Sequence, residues 1–182
     1  MFIQTEPTPN PATLKFLPGR AVMASGTANF TEAAAAKSSP LAESLFALEG
    51  VTGVYLGSDF ITVSKAADLD WLKLKPVVLA AIMDHFTSGR PVMSGAAAPA
   101  ETVGEEDNEI VAQIKELLET RVRPAVAQDG GDIIFDSFED GVVYLHMQGS
   151  CSGCPSSTAT LKAGIENMLR HYIPEVQEVR PV

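Results

Sequence analysis

Gly149-Ser150-Cys151-Ser152-Gly153-Cys154-Pro155-Ser156-Ser157-Thr158 contains the only two cysteines of a 182-residue chain, three positions apart. Upstream, Gly141 to Gln148 is rich in β-forming residues and stops at Gly149. Downstream, Pro155 stands where a helix accepts proline, and Leu161, Ile165, Met168, Leu169 and Tyr172 recur at helical spacing. The C-x-x-C pair is therefore expected on a strand-to-helix turn. Unpaired N–H groups and the positive end of the helix dipole favour a thiolate there, the form that binds metal and attacks disulfides.

Several chemistries use such a pair. Two buried cysteines acting as small apolar side chains are common, but the flanking serines and glycines describe an exposed loop. A structural zinc site needs four ligands. His146 falls in the strand and His171 near the end of the helix, without paired spacing, and His171 and His85 each read as cations at helix C-termini. Gly149-x-Cys151-x-Gly153 has the outline of a nucleophile elbow, which needs an acid and then a histidine on separate later loops. Only Glu166, Glu175, Glu178 and His171 follow, with Glu166 and His171 on one helix, so the elbow is discarded.

Two readings remain. A dithiol oxidoreductase holds its reactive thiol at a helix N-terminus. Its fold also needs parallel strands joined by helical crossovers, whereas two β-runs here meet at Glu139-Asp140-Gly141, a hairpin signal. An iron-sulfur cluster normally takes four thiolates. One chain supplies two, so two chains supply four, and the arithmetic predicts a symmetric dimer with its axis through the metal.

Net charge of -10 and the lack of a Lys/Arg cluster exclude nucleic acid and anionic membrane as favoured partners. No apolar run is long enough to span a bilayer, and the N-terminus lacks a secretory layout. Nearly half the residues are apolar, enough for one large or two small cores. Two cysteines in a metal or redox motif suit a reducing compartment.

From the start, Phe2 to Thr5 reads as a strand, Glu6 to Pro11 as a stiff connector, and Ala12 to Leu17 as the partner strand, stopped by Pro18-Gly19. The stretch near Ala33 is uninformative. Ser39 caps a short helix opening at Pro40 and running to Leu48. Val51 to Leu56 and Phe60 to Lys65 flank Gly57-Ser58-Asp59 as a hairpin. Pro76 opens a helix to about Ser88 that buries Val78, Leu79, Ile82, Met83 and Phe86. Trp71 is taken as a core or hinge residue.

Residues 90–107 turn to proline, glycine, alanine and acid, the composition of a flexible linker. A helix from Asn108 to Arg121 follows, interrupted by Arg123-Pro124, with a further turn through Gln128. Asp129-Gly130-Gly131-Asp132 lacks the spaced ligands of a calcium loop and reads as a tight turn before the strand Ile133 to Phe138. A last short strand is expected over Val176 to Val179. The fold class is α+β: two small α+β domains, 1–89 and 108–182, joined by the linker 90–107.

Arg123-Pro124, Asp129 to Asp132, Gly149 to Ser157, Thr160-Leu161-Lys162 and Gly164-Ile165 together resemble the NifU C-terminal-like domain of Nfu-type iron-sulfur proteins. Gln4 to Pro11 and Leu14-Lys15-Phe16 resemble the N-terminal domain of the mitochondrial and related bacterial members. The resemblance implies a cluster carrier and not an enzyme. Cys151 and Cys154 of two protomers would hold a 4Fe-4S cluster, with room for a 2Fe-2S form. Implied partners are a second copy, upstream assembly proteins and apo client enzymes, with the N-terminal domain engaging partners. A start without an Arg/Ser-rich leader is expected of a bacterial cytoplasmic protein more than of a mitochondrial precursor.

Overall fold

A computed structural model describes residues 2–94, 109–151 and 155–182, with the side chains of 155–158 left aside. The linker expected over 90–107 therefore lies largely outside the described residues, as does Cys154. The chain divides into two compact units, Met1–Glu101 and Thr102–Val182. Both are α+β.

The first unit is a five-stranded antiparallel sheet carrying two helices. β1 (Gln4–Pro7) pairs with β2 (Thr13–Leu17), whose other edge pairs with β5 (Ile61–Lys65). β4 (Val51–Leu56) and β3 (Ala28–Phe30) complete the order β1-β2-β5-β4-β3. The proline-rich run after β1 is no extended connector. Asn10, buried, accepts from the Ala12 N–H at 3.0 Å through its side chain and from the Thr13 N–H at 3.0 Å through its carbonyl. These bonds fold the run into the turn that closes the β1–β2 hairpin.

α1 (Pro40–Phe46) starts as its sequence predicts: Ser39 Oγ accepts from the Ala42 N–H at 3.1 Å. The same hydroxyl donates to the Val92 carbonyl at 2.6 Å, tying the cap to the chain beyond the second helix. α2 (Trp71–Thr87) opens five residues before Pro76, with Asp70 accepting from the Leu72 N–H. Pro76 is tolerated because the carbonyl it leaves unbonded, that of Leu72, belongs to the exposed first turn, where water can reach it. The helix buries Leu74, Val78, Ile82 and His85, while Met83, expected inside, is exposed. Trp71 sits edge-on to Phe16 and its indole N–H donates to the Pro11 carbonyl. Phe16, Leu41, Leu45, Leu56, Ile61, Val63, Val78 and Ile82 form the core between sheet and helices.

The second unit begins with α3 (Glu109–Leu117), which passes through a π turn over Leu118–Val122 into α4 (Arg123–Gln128). Arg123-Pro124 does not break the helical path, because proline is accepted at the start of α4. β6 (Gly131–Glu139) and β7 (Val142–Gly149) form an antiparallel hairpin. At its tip Asp140 and Gly141 have φ of 49° and 79°, the left-handed pair that a two-residue hairpin turn requires.

α5 (Pro155–Tyr172) crosses over the sheet to β8 (Glu178–Pro181), which pairs with β7 in parallel. The strand expected over Val176 to Val179 thus lies two residues later, and Val176 packs in the core just before it. Ile114, Leu118, Val122, Ile133, Val143, Leu145, Ile165, Leu169 and Val179 form that core. Among the described residues no helix is long and apolar enough to cross a membrane.

Candidate functional site

Cys151 lies two residues after Gly149, the last residue of β7, with Ser150 between them. Gly149 has φ of 63° and pairs in register with Gly131 at the start of β6. Ser150, buried, joins the two ends: its N–H donates to the Gly130 carbonyl at 3.2 Å and its hydroxyl donates to the Asp129 carbonyl. Cys151 is 5% exposed and belongs to the apolar core of its unit. The exposed loop expected from its serine and glycine neighbours does not extend to Cys151 itself. The strand end and the Gly130-Gly131 turn enclose it.

Gly131 is the floor of this site. A Cβ on it would collide with Cys151 Sγ and would lie 3.0 Å from the Gln148 carbonyl oxygen and 3.1 Å from the Cys151 nitrogen. Its neighbour Gly130 turns the chain with φ of 78°. The Asp129-Gly130-Gly131 turn is therefore more than a connection before a strand, since it sets where the sulfur sits.

Asp132, 3% exposed, anchors that turn. Its carboxylate accepts two bonds from Arg123, Nε to Oδ1 and an Nη to Oδ2, both 2.9 Å, and a third from the Ile133 N–H at 2.8 Å. Arg123 also reaches Glu119 one turn back at 2.5 Å. The Asp132 carboxylate raises the already high pKa of the guanidinium further, against the pull of burial. A buried carboxylate is stable only with such a partner. The sequence hint was an aspartate ahead of the apolar Ile133-Ile134 pair, which requires a cation from elsewhere in the chain.

Each histidine has surroundings of its own. His146, on β7, lies 2.9 Å from Asp136 on β6 and both are solvent-accessible. His171 ends α5, exposed and edge-on to Tyr172. His85 lies in the other unit and is no solvated helix-end cation: it is 1% exposed and neither ring nitrogen has a hydrogen-bond partner. Burial lowers its pKa below the ordinary imidazole value. Among the described residues no three His, Cys, Asp or Glu side chains converge to hold a metal ion.

Helix α5, 18 residues long, starts at Pro155, immediately after the C-x-x-C motif. The run β7–α5–β8 is a parallel pair joined by a helical crossover. The sequence argument that counted against an oxidoreductase, that the fold lacks such a unit, does not hold, and the choice between the two readings rests on other grounds.

Comparison with known proteins supplies them. Residues 3–89 match the family model described as "Scaffold protein Nfu/NifU N terminal", and residues 114–180 match "NifU-like domain". "NFU1 iron-sulfur cluster scaffold homolog, mitochondrial" from Homo sapiens is 56% identical over 183 residues, covering 100% of this chain and 72% of that protein. "NifU-like protein 4, mitochondrial" from Arabidopsis thaliana is 55% identical over 184 residues, covering 98% of this chain and 65% of that protein. A NifU-like protein from Saccharomyces cerevisiae, solved in solution, overlaps 52% of this chain and 85% of its own at 27% identity and a TM-score of 0.47.

These relatives correct the expectation of a bacterial cytoplasm. Their names point to the mitochondrion, and a matrix protein freed of its leader has the same outward features as a bacterial one. Scaffold names likewise favour a carrier over an enzyme. With both halves matched and more than half of all positions identical to a relative across the whole chain, this protein belongs to the Nfu/NifU scaffold family.

Proposed function

We propose that the protein is an iron-sulfur cluster scaffold and carrier whose cargo is a 4Fe-4S cluster held between two copies by Cys151 and Cys154 of each. Its relatives carry the scaffold designation in their names. The observation that carries the reading is the position of Cys151: its sulfur rests on the bare backbone of Gly131, at the end of a strand and just ahead of the α5 N-terminus. A second ligand, Cys154, follows three residues later, next to Pro155. Two thiolates per chain meet the requirement for four only when two chains combine.

Delivery is a ligand exchange without change of oxidation state. An incoming client thiol loses its proton, its sulfur bonds iron, and the displaced Cys151 or Cys154 sulfur takes up a proton. Such exchange needs access and a deprotonated attacker, as thiol-disulfide exchange does. A cluster on a seam between two subunits meets both needs without unfolding either chain. Residues 1–89 engage partners in this reading, which are upstream assembly proteins and apo client enzymes.

The test is transfer. Reconstituted protein is mixed anaerobically with an apo 4Fe-4S enzyme in the presence of a chelator, and enzyme activity is followed. Activity that returns despite the chelator, and fails with Cys151→Ala or Cys154→Ala, supports direct delivery. Return that the chelator abolishes contradicts it. Iron-free protein that reduces a test disulfide instead supports a dithiol oxidoreductase, the reading that the parallel crossover favours.

A further inference from the structure

The outward face of α2 is apolar over three turns. Leu72 is 83% exposed, Val77 46% and Met83 42%, and Pro76 and Ala80 between them are exposed as well. This stripe is distinct from the buried one formed by Leu74, Val78, Ile82 and His85. At about 100° per residue, Leu72 and Met83 fall along one margin of the exposed face. Pro76 and Ala80 run near its middle, and Lys73, Val77 and Asp84 form the other margin. Leu72 to Met83 and Lys73 to Asp84 are both steps of 11 residues (83 − 72 and 84 − 73), about three turns or ~16 Å.

We propose that this face is a contact between the N-terminal units of two copies of the chain, packed as an antiparallel α2 pair about a two-fold axis. An axis perpendicular to both helices reverses their direction and keeps each margin opposite its own image. On one margin Leu72 meets Met83 of the partner subunit. On the other Lys73 meets Asp84 of the partner subunit; the two pairs are centred one residue apart along α2, an offset of ~3 Å that the long lysine side chain spans. Ala80, small, leaves room between them for Val77 of the partner subunit. Such self-complementarity in both apolar and charged positions fits a second copy. Within its own chain Asp84 is approached by Arg90 at 3.9 Å, with both side chains well exposed, so its charge remains available.

A few side chains on three turns bury less than the ~800 Å² per partner of a standard interface. The contact is weak between separate chains and closes when another link holds two copies together, since tethering raises the effective concentration to the millimolar range. The shared cluster supplies that link, so occupancy of the contact rests on the function proposed above, while its existence does not.

The experiment mixes chains labelled with nitrogen-14 and nitrogen-15 and treats them with a carbodiimide, which joins a lysine amine to a touching carboxylate and takes up the water released. Two samples are used, the reconstituted full chain and the metal-free full chain at about 1 mM. A Lys73–Asp84 amide linking a light to a heavy chain is expected in both. Within one helix the two groups stand ~16 Å apart and cannot react. Lys73→Asp or Asp84→Lys alone abolishes the product, and the double swap restores it with roles exchanged. A reconstituted dimer with no such link in either sample overturns the helix contact and leaves the shared cluster standing. A link in the metal-free sample without any cluster-bearing dimer does the reverse. Links from Lys73 spread evenly over other surface carboxylates also overturn the contact.

Discussion

Gly131 lies directly beneath Cys151 Sγ, so close that no side chain fits between the β6 start and the sulfur. Register explains why: Gly131 faces Gly149 across the hairpin, and the chain leaving Gly149 turns back over its partner.

Gly131→Ala must therefore move something. The added methyl meets the sulfur on one side and the Gln148 carbonyl and Cys151 nitrogen on the other. The backbone groups belong to the sheet, so the sulfur yields first. The expected outcome is a folded protein destabilised by about 1–3 kcal/mol, as for other overpacked sites, with its cluster lost faster to a chelator. Circular dichroism and the decay of visible absorbance measure the two effects separately.

Gly164 provides the contrast. It lies inside α5, and a Cβ there meets nothing within 4 Å. Gly164→Ala is expected to raise stability by about 0.5–1 kcal/mol, because alanine loses less backbone entropy in a helix. Chemical denaturation checks this, with cluster retention unchanged.

Asp132→Ala removes the carboxylate that receives both Arg123 bonds and leaves the guanidinium, one-third exposed, with Glu119 alone. A loss of about 2–3 kcal/mol is expected from the charged hydrogen bonds. Asp132→Asn retains one acceptor and loses less. Urea denaturation of the two variants orders them.

His85 gives the first unit an acid sensitivity. Burial, with Arg90 adding repulsion, lowers its pKa, while the charge of Asp84 opposes the shift. The folded state then binds the proton less readily than the unfolded chain. Stability is full above the unfolded value of about 6.5 and falls as pH drops below it, with a slope of at most ~1.4 kcal/mol per pH unit. His85→Leu should flatten that slope between about pH 6.5 and 5 in thermal melts.

Much of this was legible in the residues. Asp140-Gly141, Ser39-Pro40 and the spacing of apolar residues in α5 each carry a local cause for the structure they adopt. What escaped is long-range. β3 is three residues, Ala28–Phe30, whose strand character comes from pairing with β4 and not from composition. Pro76 masked the true start of α2, because a proline reads as a helix opening while Asp70 supplied the cap. At the site, the C-x-x-C motif was visible in the sequence, but the packing of Gly131 on Cys151 and the Arg123–Asp132 pair join residues 20 and 9 positions apart (151 − 131 and 132 − 123). Only folding brings them together.

The central claim is tested by the native mass of the anaerobically reconstituted protein, read with its iron and sulfide content. The account predicts two chains carrying about four irons and four sulfides, reverting to iron-free chains on Cys154→Ala, as expected when each subunit supplies two of four thiolates. A monomer holding a cluster, or a dimer that keeps its cluster without Cys154, would contradict it.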